Sequence, residues 1–154
     1  MKGSCQCGNV RYEVPDDFKA LIACYCTECQ KMSAGVGSYS MFVAYDSFQL
    51  TSGELSSWER ASDTGARNIA CFCATCSNRI YHKNPEIPGV IRLKAGTLEN
   101  ANRLEPDAHF WMRSAPEWVR LPEGALAYDT QPDMEEALLA IQERRNNVVN
   151  KRDN

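Results

Sequence analysis

Hydrophobic and polar positions alternate in short runs along most of the chain, the period-2 pattern of strands that bury one face. Val10, Tyr12 and Val14 alternate with polar residues and stop at Pro15-Asp16-Asp17. Ala20-Leu21-Ile22-Ala23 is a short continuous apolar run, and Ser38 to Tyr45 is rich in aromatic and β-forming residues. Phe48 to Ser52 and Leu55 to Trp58 read as a hairpin turning at Gly53-Glu54. The polar turn Ser62-Asp63-Thr64-Gly65 precedes a strand over Arg67 to Phe72, followed by strands at Arg79 to His82 and Val90 to Ala95. Lys31 to Gly37 reads as a loop, and Leu104 to Pro122, with Trp111 and Trp118, is expected to pack across the sheets.

Helical periodicity is clear only over Asp133 to Arg145. Asp133 and Glu136 have the spacing of a capping box, Met134, Leu138 and Ile141 form an apolar stripe, and Arg144-Arg145 suit the C-terminal end. Residues 146–154 read as a polar tail after a single domain over 1–145. The predicted fold is mainly β: several short, curled antiparallel sheets with one C-terminal helix.

At 44% hydrophobic and 24% charged residues, the chain has the composition of a globular domain rather than a disordered one. No apolar run approaches the ~20 residues that span a bilayer, and no signal-peptide pattern opens the chain, so a cytoplasmic protein without a membrane partner is expected. The net charge of −3 argues against a nucleic-acid partner, because phosphate binding rests on a basic surface.

The eight cysteines change the picture most. In a cytoplasmic chain they point to metal rather than to disulfides. They fall into three clusters: Cys5/Cys7, Cys24/Cys26/Cys29 and Cys71/Cys73/Cys76. Three thiols within Cys24 to Cys29 are too close for ordinary disulfide geometry. A C-x-x-C turn folds two sulfurs toward one ion, and in an extended C-x-C step the sulfurs share a face. The same spacing recurs from Cys71 to Cys76, so two strands each run into a cysteine knuckle. Eight thiols allow two closed Cys₄ zinc sites, which would do no chemistry, or one closed site and one open site with a cysteine to spare. Spacing does not choose between them.

Further motifs carry a resemblance. Gly3-Ser4-Cys5-Gln6-Cys7-Gly8 is followed by Cys24-Tyr25-Cys26-Thr27-Glu28-Cys29-Gln30-Lys31 and by Phe72-Cys73-Ala74-Thr75-Cys76. Gly96-Thr97-Leu98, Pro106-Asp107-Ala108-His109-Phe110-Trp111 and Trp118 come after them. In this order, over roughly residues 3 to 130, the chain resembles the glutathione-dependent formaldehyde-activating enzyme family. The resemblance implies a β-tent architecture, a structural zinc on Cys5, Cys7, Cys73 and Cys76, and a catalytic zinc on Cys24, Cys26 and Cys29; a three-ligand site is expected to exchange its metal more readily than a closed one. It also implies a carbon–sulfur lyase activity, S-(hydroxymethyl)glutathione synthase-like, on an adduct of glutathione or another small thiol with formaldehyde or another small aldehyde. The competing class is a non-catalytic, zinc-stabilised binding module. Cys71 lies outside the family pattern and reads as a buried spare thiol. Tyr25 stands where the family has histidine, and Ser77 where it has glycine.

Other polar residues carry less. His109 reads as a structural histidine rather than a catalytic one, and His82 as a surface one; Lys31, Arg67 and Arg92 are candidates to pair with glutathione carboxylates but read as ordinary solvated charges. Tyr25 is equally suited to facing the open coordination position or to packing.

Overall fold

A computed structural model describes residues 1–62 and 65–152. Strand β1 covers Lys2–Ser4, β2 covers Arg11–Glu13, and β3 (Ala20–Cys24) leads into helix α1 (Thr27–Ser33). Then come β4 (Ser38–Ala44), β5 (Gln49–Ser52), β6 (Leu55–Ala61) and β7 (Arg67–Cys73). Strands β8 (Arg79–Lys83), β9 (Val90–Lys94), β10 (Ala108–Phe110) and β11 (Leu126–Tyr128) precede the C-terminal helix α2 (Met134–Arg152). The protein is mainly β, as the alternating pattern requires. Asp63 and Thr64 of the expected polar turn lie outside the described residues.

The chain forms two compact units, each assembled from separated segments. The first contains Met1–Lys19 and Ser40–Glu105. Within it β1, β2 and β5 make a small antiparallel sheet, with Gly3 opposite Tyr12 and Tyr12 opposite Leu50. Strands β4, β9, β8, β7 and β6 pair antiparallel in that order. Tyr12, Met41, Val43, Ile80, Ile91 and Leu93 are fully buried. Each such side chain contributes about 1.5–3 kcal/mol through removal from water. Phe48 stacks on Tyr12 and meets Tyr81 edge to face, closing the aromatic part of this core.

The second unit contains Ala20–Tyr39 and the chain from Pro106. Here β10 lies between β3 and β11 and pairs with both in parallel, with Phe110 opposite Cys24. The expectation of antiparallel sheets therefore does not extend to this unit, because residues brought together from distant parts of the chain need no hairpin. Asp107 fastens the arrangement. Its carboxylate accepts from Leu21 N at 2.7 Å and from the Arg145 guanidinium at 2.8 and 2.6 Å. Helix α2 is capped by Asp133, whose Oδ1 accepts from Glu135 N and Glu136 N, both at 3.0 Å. Ala137 and Ile141 are its buried contacts, and the helix continues to Arg152 rather than stopping at Arg145. Trp118 does not pack: it is 67% exposed.

Candidate metal centres

Cys5 and Cys7 sit in the turn between β1 and β2. Val10 N donates to Cys5 Sγ at 3.2 Å, while Gly8 N and Cys5 N close the turn on the backbone. Cys73 ends β7, and Cys76 follows in the tight turn before β8. Asn78 Oδ1 accepts from Gln6 N at 3.1 Å, and Asn9 Nδ2 donates to Thr75 Oγ1 at 3.2 Å, so side chains stitch the two loops together. The four sulfurs lie within 4.8 Å of one another, with Cys5–Cys7 at 3.4 Å and Cys7–Cys73 at 3.9 Å. Zn–S bonds of about 2.3 Å in a tetrahedron place sulfurs about 3.8 Å apart, so the donor set fits zinc. Backbone N–H groups of Cys76 and Thr75 pull the Cys73 pKa down to about 6, against the cost of burial.

The second group is built by one segment. Cys24 ends β3, Cys26 is the N-cap of α1, and Cys29 lies in the first turn of that helix, where its N–H donates to Cys26 Sγ at 3.4 Å. Helix α1 corrects the loop expected from Lys31. The three sulfurs again lie within 4.8 Å of one another, and no fourth His, Cys, Asp or Glu joins them among the described residues. Hydrogen bonds from Cys26 and Cys29, then burial, push the Cys24 thiol up. Three thiolates this close are stable only with a cation among them, and a soft divalent metal such as zinc suits them.

Two further contacts hold this segment. Gln30 Nε2 donates to Tyr25 O and to Ser114 O, both at 2.7 Å, while Tyr25 N donates to Phe110 O at 3.0 Å. Gly37 lies so close that a Cβ there would stand 2.5 Å from Cys24 O, which only glycine avoids. Gln30 stood in the sequence motif without a role, and Gly37 and Asn78 carried no signal beyond residue type.

Cys71 joins neither group. It is buried across from Tyr81 on β8, whose pKa is pushed up first by burial and then by a hydrogen bond with Cys71. Lys31 pairs with Glu28, Arg67 with Glu59, and Arg92 donates to Asn68 Oδ1 at 2.8 Å. His82 is half-buried rather than at the surface.

Residues 1–114 match the family described as glutathione-dependent formaldehyde-activating enzyme. The chain belongs to this family. A Halomonas elongata protein named "Putative glutathione-dependent formaldehyde-activating enzyme" is 27% identical over 133 residues, covering 79% of this chain and 80% of that one. A crystal structure of a Rhodobacter sphaeroides protein shares the fold, with a TM-score of 0.52 at 20% identity over 83% of this chain and 99% of that one.

Both departures from the formaldehyde-activating pattern have a physical reading. Tyr25 is 5% exposed, and its hydroxyl lies 3.1 Å from His109 Nδ1, with the two rings stacked at 6.0 Å. Its polar end is satisfied by the buried His109. Ser77 adopts φ 60°, the left-handed region in which the family glycine is unstrained. Ser77→Gly is therefore expected to stabilise the protein by about 1 kcal/mol, the usual penalty of a side chain there. Thermal unfolding of the variant checks it: a melting point at or below wild type contradicts the assigned strain.

Proposed function

We propose that the protein forms and cleaves an adduct between a small thiol and an aldehyde, with glutathione and formaldehyde as the pair. The reaction is that of a carbon–sulfur lyase: the thiol sulfur bonds to the carbonyl carbon and the thiol proton passes to the carbonyl oxygen. Cleavage reverses both transfers.

One observation carries this reading. The Cys24, Cys26 and Cys29 sulfurs converge with no fourth protein ligand among the described residues, whereas the Cys5/Cys7/Cys73/Cys76 group is complete. Open sites belong to chemistry and closed ones to structure. The first three residues would hold a catalytic zinc, the other four a structural one. Zinc with three thiolates is a modest Lewis acid that offers its remaining position to a soft thiol and lowers the pKa of that thiol from about 8.5. The chain's own residues do the positioning. Gln30 and Phe110 fix the Tyr25 peptide between two of the cysteines, and His109 holds the Tyr25 hydroxyl. In this reading residues 1–145 act as one functional domain in the cytoplasm, where thiols stay reduced.

Calorimetry with glutathione and S-methylglutathione tests the proposal. Glutathione is expected to bind with release of a proton, visible as a dependence of the heat on buffer ionisation enthalpy. S-methylglutathione keeps the peptide but has no thiol proton; it is expected to bind at least about tenfold more weakly, a loss of about 1.4 kcal/mol. Equal binding of both would favour the non-catalytic binding module.

A further inference from the structure

The antiparallel strands of the first unit have two unlike faces. One carries Met41, Val43, Ile91 and Leu93, which are fully buried. The other is cationic. Register places Arg60 opposite Asn68, Arg79 opposite Phe72, His82 opposite both Ala70 and Arg92, and Lys94 opposite Ser40. No Asp or Glu of these strands shares that face, since Glu59 points the other way with Arg67. On this face Lys94 Nζ lies 3.0 Å from Ser40 Oγ, and Arg92 is held by Asn68.

Arg79 is different. Its guanidinium lies between two rings, 5.6 Å from the centroid of Trp58 and 5.2 Å from that of Phe72. Its Nη1 is buried and has no hydrogen-bond partner among the described residues. Stacking on rings leaves the N–H edge of a guanidinium unsatisfied, and a buried donor without an acceptor costs about 1–3 kcal/mol. Burial, then the nearby Arg60 charge, pushes the Arg79 pKa down, with Cys71 opposing the shift. An anion with planar, paired oxygens matches the guanidinium fork, and Trp58, 53% exposed on edge strand β6, offers apolar surface beside it.

We propose that Arg79, flanked by Trp58 and Arg60, is a binding site for the carboxylate of a small organic acid. The carboxylate accepts from the Arg79 edge, and the ligand's carbon chain lies along Trp58. The site stands on the first unit alone and does not depend on the thiol–aldehyde reading. Two sources share this chemistry: a free dicarboxylate, or a carboxylate of the thiol peptide itself.

Tryptophan fluorescence titrations at low salt with succinate, its neutral diamide and S-methylglutathione test the site. Succinate is expected to bind wild type and the diamide not to. Arg79→Gln, and Arg79→Lys, which keeps the charge but loses the fork, should each weaken succinate at least about tenfold. Arg67→Gln, on the opposite face, should change it less than about twofold. Circular dichroism establishes that each variant is folded, and the charge-retaining lysine variant separates recognition from collapse. Arg79-dependent binding of S-methylglutathione in competition with succinate would identify the thiol peptide as the source; succinate alone would identify a free acid. Succinate binding that both Arg79 variants leave intact, or its absence from wild type, overturns the proposal. Glutathione calorimetry can succeed or fail independently, because succinate has no thiol.

Discussion

Cys73→Ser is expected to cost the protein one zinc and most of its stability. Cys73 is fully buried, and its sulfur meets those of Cys5 and Cys7 from the end of β7. This group ties the β1–β2 turn to the turn before β8, and the flanking hydrogen bonds, Asn9 Nδ2 to Thr75 and Gln6 N to Asn78 Oδ1, are exposed and weak by comparison. Closed thiolate zinc sites contribute on the order of 10 kcal/mol in small domains, similar to the whole stability of an ordinary domain, about 5–15 kcal/mol. Removing one ligand forfeits much of that. The variant should purify with about one metal fewer per chain and melt far below wild type, as metal analysis and thermal unfolding would report. A Cys73→Ser protein with unchanged melting temperature would contradict the structural assignment.

Cys26→Ser is expected to behave in the opposite way, with the fold kept and activity lost. Cys26 is the N-cap of α1, its sulfur accepting from Cys29 N. Serine is among the best N-cap residues, so the substitution keeps or improves the cap while removing a thiolate. A stability change within about 1 kcal/mol is expected, together with loss of the metal that chelators remove first. Activity should fall by at least about two orders of magnitude, more than the 10–100-fold that follows loss of a residue merely orienting a ligand. Unchanged zinc content under full metal loading would exclude Cys26 as a ligand.

Much of this was legible in the residues. The buried Val10, Tyr12 and Val14, and the strands from Arg67, Arg79 and Val90, follow from period-2 alternation because each buries one face. The cysteine clusters were visible as spacing, but which sulfurs converge needed the fold, which gathers four in one group and three in another and leaves Cys71 outside each. Helix α1 was hidden because it is short and capped by a cysteine, a residue carrying no capping signal. The parallel pairing of β10 was invisible for another reason: three-residue strands have no period to read, and Asp107 meets Leu21 only across a long stretch of chain. Past Arg145, α2 continues without an apolar stripe, so no pattern marked it. Tyr25 illustrates the limit at the site itself. Sequence placed it between two cysteines; only the hydroxyl's contact with His109 shows what it packs against.

The most direct measurement is exchange spectroscopy by NMR on ¹³C-labelled formaldehyde mixed with glutathione. The wild-type protein, loaded with zinc, is predicted to accelerate exchange between hydrated formaldehyde and its glutathione adduct well above the rate in buffer. The folded Cys26→Ser variant is predicted to leave that rate unchanged. Exchange at the buffer rate with fully loaded wild type, or equal acceleration by wild type and variant, would contradict the account.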